Sequence, residues 1–176
     1  MLVFSNCKIY FYLRRHKIMG LAHIENGRVR MVDVSEKEDV TRIAIAEGFI
    51  KLRSSTIEAI LKERVAKGNV IAAANVAGVL AVKKTSELIP MCHPIPITSV
   101  KFDFNIESVG IRVRCTVKSK GKTGVEMEAL TGVSVALLTI WDMVKNLGKD
   151  EYGNYPKTLI EVVRVVEKFK GDACDR

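Results

Sequence analysis

The sequence predicts an α+β domain in which helices cover one face of an antiparallel sheet. A β-branched strand is followed by two helical stretches, two alternating segments are separated only by a tight turn, and a long apolar helix precedes a last strand. With 176 residues, 48% of them hydrophobic, the chain suffices for one packed domain. A charged fraction of 27% is that of a globular protein, and no run approaches the roughly 18 unbroken apolar residues of a membrane span, so composition argues against disorder and membrane insertion.

From Arg42 to Leu52, Ile43, Ile45, Phe49 and Ile50 alternate with small or charged neighbours, which favours a strand. Ser55 and Glu58 fit a capping box opening a helix over Ile57, Ile60, Leu61 and Val65, and Gly68 is its expected stop. Asn69 then caps a second helix running to about Lys84, whose Ala72, Ala73, Ala74, Ala77, Gly78 and Ala81 permit close backbone approach and predict burial. Pro90, Pro94 and Pro96 make Thr85 to Pro96 a stiff loop. Val100, Phe102, Phe104 and Ile106 form one strand of a hairpin and Ile111, Val113, Cys115 and Val117 the other, around a turn at Val109 and Gly110. A helix from Met127 to Leu147 ends at Gly148, and a final strand runs from Leu159 to about Val166. This βαββαβ order predicts a ferredoxin-like antiparallel sheet with helices packed on one face and an extra helix in the first crossover.

The formal charge is +8, but Lys8, Arg14, Arg15 and Lys17 supply half of it within the first eighteen residues, where no acid occurs. That segment has no long apolar run and no small-residue cleavage site, and Met19 follows it. Residues 1–18 read either as a basic arm or organelle address, or as a non-native or disordered extension upstream of the true start; the second is the expectation. The remaining body is too mildly basic to call for nucleic acid. Four cysteines, Cys7, Cys92, Cys115 and Cys174, form no C-x-x-C pair, so neither a zinc finger nor a disulfide framework follows, and a reducing cytoplasm is the expected location.

Several side chains invite chemistry. Gly121-Lys122-Thr123 resembles the end of a phosphate-cradling P-loop, but Thr116 stands where the motif needs glycine and the segment follows a hairpin strand, so a glycine-rich turn is the plainer reading. His93 sits in the proline-stiffened loop, where an imidazole is held ready for binding or catalysis; a packed or surface histidine is the alternative. Cys92 beside His93 lacks a second ligand pair, so no metal site is expected. Glu126 and Glu128 stand at a helix start, which favours carboxylates in any case. Asp142 and Lys145 are three apart on a largely apolar helix, either a solvated pair or a lysine tuned by its carboxylate. Lys67 precedes Gly68 and either approaches an anion at the next helix or neutralises the end of the previous one.

Taken together, MVDVSEKEDVTR (Met31 to Arg42), KGNVIAAANVAGVLAVKKTSELIPMCHPIPI (Lys67 to Ile97) and GKTGVEMEALTGVSVALLTIWDMVK (Gly121 to Lys145) closely resemble the MoaC family of molybdenum-cofactor biosynthesis, the cyclic pyranopterin monophosphate synthases. The likeness runs from about His23 to Val166. It implies a lyase that converts 3′,8-cyclo-7,8-dihydro-GTP to cyclic pyranopterin monophosphate and pyrophosphate, with no redox cofactor. By motif matching it implies catalytic roles for Lys67, Asp142 and Lys145. It also implies substrate-binding roles for Arg42, His93, Glu126 and Glu128, and for Lys118, where the family often has arginine. Residues 19–176 are then a single MoaC-like catalytic domain, and the assembly a homohexamer built from dimers with pockets between subunits. Three departures stand out: Asn69 replaces the usual aspartate, the tail after Val166 lacks the usual Gly/Lys/Ser-rich end, and residues before Met19 have no counterpart.

Two other classes compete. An RNA-binding module would suit a ferredoxin-like sheet, but only 6% of residues are aromatic and no stacking motif appears. A metal-dependent phosphohydrolase using His93, Glu126 and Glu128 predicts inactivation by chelation and hydrolysis by water.

Overall fold

The computed structural model describes residues 24, 25 and 28–171; residues 1–18, Cys7 and Cys174 lie outside that range. The chain divides into two compact units, Met1–Val32 and Asp33–Arg176. In the first, β1 (Ile24–Glu25) pairs antiparallel with β2 (Arg28–Val29). The second contains β3 (Val40–Lys51), α1 (Ser54–Leu61), α2 (Val70–Lys83), α3 (Thr85–Leu88), β4 (Ile97–Glu107), β5 (Gly110–Gly121), α4 (Glu126–Gly148) and β6 (Leu159–Lys170).

Its four strands lie in the order β4-β5-β3-β6 and every neighbouring pair is antiparallel. The first strand of the unit therefore sits between the third and the fourth, the ferredoxin-like arrangement. Strand alternation explains the layers: Ala44, Ala46 and Ile50 of β3 and Ile111, Val113, Cys115 and Val117 of β5 are buried beneath the helices. The opposite face is charged. There Glu47 is only 3% exposed, ringed by Arg112 at 3.4 Å, Arg114 at 2.8 Å and Arg164 at 3.5 Å, and these guanidiniums hold its carboxyl below the usual range against the opposing effect of burial.

Close approach of the helices rests on missing side chains. A Cβ added to Gly48 of β3 would come within 2.6 Å of Leu137 on α4, and one added to Gly132 of α4 within 2.6 Å of Val82 on α2. The small residues of α2 serve one face only: Val70, Ala74, Gly78, Ala81 and Val82 are buried, whereas Val76 and Leu80 are 61% and 52% exposed. The expectation of a buried α2 thus holds for half the helix. By length and composition α4 would suffice to cross a membrane, but here it lies along β3, β5 and β6 as the central core helix.

Other boundaries differ from expectation. The Ser55–Glu58 capping box does not form, because α1 already starts at Ser54 with Arg53 at its N-cap, which places Ser55 inside the helix; Glu58 pairs instead with Lys62. That helix stops at Leu61 rather than Gly68, since Glu63 takes a φ of +51°, outside helical geometry. The stiff loop contains the short α3, begun by Thr85, whose hydroxyl bonds back to the Ala81 and Val82 carbonyls. The strand β6 continues past Val166 to Lys170 because its charged end still pairs with β3, Phe169 opposite Ile43 and Lys170 opposite Arg42.

Candidate active site

Lys67 is placed by a turn that few residues tolerate. Gly68 has a φ of +93°, a conformation L side chains rarely adopt, and Asn69 then caps α2 by accepting the Ala72 N–H at 2.9 Å. This turn brings Lys67 against α4, where its Nζ donates to Asp142 Oδ2 at 2.6 Å and to the Asp142 carbonyl at 2.8 Å. Lys145, one helical turn along, reaches Asp142 Oδ1 at 2.7 Å. One carboxylate therefore holds two ammonium groups, one at each oxygen.

The electrostatics follow from that geometry. Hydrogen bonds first from Lys145 and then from Lys67 pull the Asp142 carboxyl down to about 2, and Asp142 in turn pushes the Lys145 ammonium above its usual range. Lys145 is thus kept protonated, suited to donate a proton or offset negative charge. Side-chain exposures of 38%, 56% and 43% for Lys67, Asp142 and Lys145 leave the group open to a ligand. Two cations and one anion leave a net positive site. Tyr155 stands near Lys145 and meets the Trp141 ring edge-on at 5.7 Å.

A second group surrounds the start of α4. Arg42 donates from Nε to the Gly121 carbonyl at 3.0 Å and from a terminal nitrogen to the Lys122 carbonyl at 2.9 Å, tying the chain after β5 to β3. Together with Glu126, Lys168 and Lys170 it lines a cavity of about 230 Å3, in which Lys168 Nζ lies 3.4 Å from Glu126 Oε1. His93 lines a neighbouring cavity of about 330 Å3 with Asp39, Lys120 and Lys122. Glu128 is 3% exposed and its Oε2 is buried without a hydrogen-bond partner among the described residues; burial first, and Glu126 second, push its carboxyl upward despite an opposing backbone hydrogen bond. The Cys92 thiol, raised by burial and by Glu128, lies in the same region.

The structure therefore joins Lys67, Asp142 and Lys145, and separately collects Arg42, His93, Glu126 and Glu128. Glu126 and Asp142 are sixteen residues apart on α4, about 24 Å at 1.5 Å per residue. Lys118 belongs to neither group: it is exposed on the open face of the sheet, opposite Ile43 and Ser99. Sequence reasoning missed Lys168, which lies beyond the expected end of β6, and Asp39, Lys120 and Tyr155, which carry no motif. A longer alternation through Phe169 was the one available signal for Lys168. Among the described residues, no three His, Cys, Asp or Glu side chains are grouped to hold a metal ion.

Comparison with known proteins finds similar chains over most of this length. A probable cyclic pyranopterin monophosphate synthase of Archaeoglobus fulgidus is 84% identical over 153 residues, 87% of this chain and 98% of the relative. The proteins of the same description from Methanosarcina mazei and Pyrococcus furiosus are 62% and 58% identical, over 88% and 86% of this chain and 98% and 97% of their own lengths. With the MoaC family model matching residues 31–171, which span the Lys67–Asp142–Lys145 group and everything around the start of α4, the chain belongs to the MoaC family.

Proposed function

We propose that this chain is a cyclic pyranopterin monophosphate synthase acting on 3′,8-cyclo-7,8-dihydro-GTP, a lyase of molybdenum-cofactor biosynthesis. The observation that carries the reading is the convergence of Lys67 and Lys145 on Asp142, within a chain 84% identical to a relative of that description. Closing the cyclic phosphate requires an internal hydroxyl oxygen to bond to the α-phosphorus. The bond from that phosphorus to the bridging oxygen breaks, pyrophosphate leaves with the electron pair, and the proton of the attacking hydroxyl passes to the departing pyrophosphate or to solvent. Charge builds up on the departing group, and fixed cations stabilise it.

Lys67 and Lys145 bind the polyphosphate, offset its charge and move protons, while Asp142 orients Lys145 and keeps it protonated. His93, Glu126 and Glu128 position the purine-derived base, and Arg42 and Lys118 contact substrate or phosphate. Since the two groups stand at opposite ends of α4 in one protomer, a complete pocket draws on two subunits. The assembly is a homohexamer built from dimers, residues 19–176 form its single catalytic domain, and it works on a small molecule, not nucleic acid, in the cytoplasm.

The test is incubation of pure protein with the cyclised dihydro-GTP, followed by oxidation of the product. A fluorescent pterin released together with pyrophosphate is the expected result. Phosphate release by water without pterin would overturn the reading in favour of a phosphohydrolase. Native mass spectrometry reads the assembly, and complementation between Lys67→Ala and Glu128→Gln subunits in mixed oligomers tests the shared pocket: recovery of activity supports it, none opposes it.

A further inference from the structure

One cavity of the second unit lies outside both groups. It measures about 520 Å3 and opens between the end of β3, the start of α1, the β4–β5 turn and the chain entering β6. Its polar wall is cationic: Lys51, Arg53 and Lys157 line it with the hydroxyl residues Ser54 and Ser55, and no acidic residue does. None of these three cations pairs with a carboxylate among the described residues, in contrast to Lys67 and Lys145.

Arg53 supplies a further observation. One terminal nitrogen donates to the Lys149 carbonyl at 3.3 Å, but its Nε is buried with no hydrogen-bond partner among the described residues. A guanidinium carries five N–H donors in a planar fork, so Arg53 offers charge-assisted hydrogen bonds to an anion in the cavity that it lines. The start of α1 adds to the same field, since it has no side-chain cap and no acid in its first turn. The remaining wall, Leu52, Val109, Pro156 and Leu159, is apolar.

We propose that this cavity binds a diphosphate-bearing small molecule at a site separate from the Lys67–Asp142–Lys145 group. Three uncompensated cations match a diphosphate better than a single phosphate. The volume falls within the range of small-molecule pockets, and the apolar wall suits an organic body attached to the diphosphate. The proposal stands independently of the synthase reading, because it uses none of the residues assigned to that reaction.

Calorimetric titration of the full chain with inorganic pyrophosphate and with GDP tests it, using Lys67→Ala/Lys145→Ala to silence the other site. That variant is expected to retain one salt-sensitive diphosphate site per chain. Lys51→Glu/Lys157→Glu should weaken that site by about tenfold or more while conversion of the cyclised dihydro-GTP continues. Both lysines are exposed, and the milder Lys51→Gln/Lys157→Gln pair, with an unchanged thermal midpoint, should weaken binding in the same direction. Tighter binding of GDP identifies an organic diphosphate as the ligand; equal binding identifies the bare diphosphate. Absence of saturable binding in the Lys67→Ala/Lys145→Ala protein, or unaltered binding after charge reversal at Lys51 and Lys157, overturns the proposal.

Discussion

The two ends of α4 treat their carboxylates in opposite ways. At the C-terminal end, Asp142 is exposed, holds two ammonium groups and has its carboxyl pulled down to about 2. At the N-terminal end, Glu128 is buried, lacks a partner for Oε2 among the described residues and has its carboxyl pushed upward. One helix thus carries an acid whose ionised form is stabilised by two cations and another whose ionised form is disfavoured by burial. Pairs of groups driven apart in this way divide acid and base duties in many sites. The difference also separates two kinds of residue: the Asp142 group is open to an anion, whereas Glu128 is shielded from water.

The largest expected effects come from dismantling the C-terminal group. Lys67→Ala and Lys145→Ala should each lower turnover of the cyclised dihydro-GTP by about a hundredfold to ten-thousandfold while the protein stays folded by circular dichroism. Asp142→Asn should follow, at about a hundredfold, and it carries a signature that mere loss of packing would not. Without the carboxylate the raised Lys145 falls back toward its ordinary range, so the alkaline limb of kcat/KM should move to lower pH. An unmoved limb would remove Asp142 as the group that keeps Lys145 charged.

The N-terminal end gives a smaller effect of opposite sign. A carboxyl raised by folding contributes stability that is present below its unfolded value and lost as pH rises through the folded one. Glu128→Gln should therefore gain stability relative to wild type as pH rises above the ordinary carboxylate range, read from denaturant midpoints. Asp142 behaves in reverse, its contribution being present above the ordinary carboxylate range and lost as pH falls through about 2. Smallest of all, Asn69→Asp should change stability by no more than about 0.5 kcal/mol, because either side chain accepts the Ala72 N–H. A large gain in turnover in that variant would instead mark the turn after Lys67 as compromised.

Much of this molecule was legible before its structure. The alternation of Val100 to Ile106 and Ile111 to Val117 specified the hairpin, and the small residues of α2 announced a close contact, because period and side-chain size are local properties. Motif resemblance singled out Lys67, Asp142 and Lys145. It did not reveal that one carboxylate holds both ammonium groups, since Lys67 and Asp142 are seventy-five residues apart. It grouped Glu126 and Glu128 as a pair, whereas Glu128 is buried and Glu126 meets Lys168. The misplaced start of α1 has the same origin: a local capping pattern competed with a chain path set by the sheet.

By itself, the sequence determined the order of elements, the faces of the strands and the chemical kinds of residue available, because each depends on neighbours within a few positions. Tertiary structure alone decided which charges are shared, which acid is stranded from water and which lysines line the β3–α1 cavity. Those outcomes depend on distances between segments remote in the chain and on local solvent access, and both arise only when the helices close over the sheet.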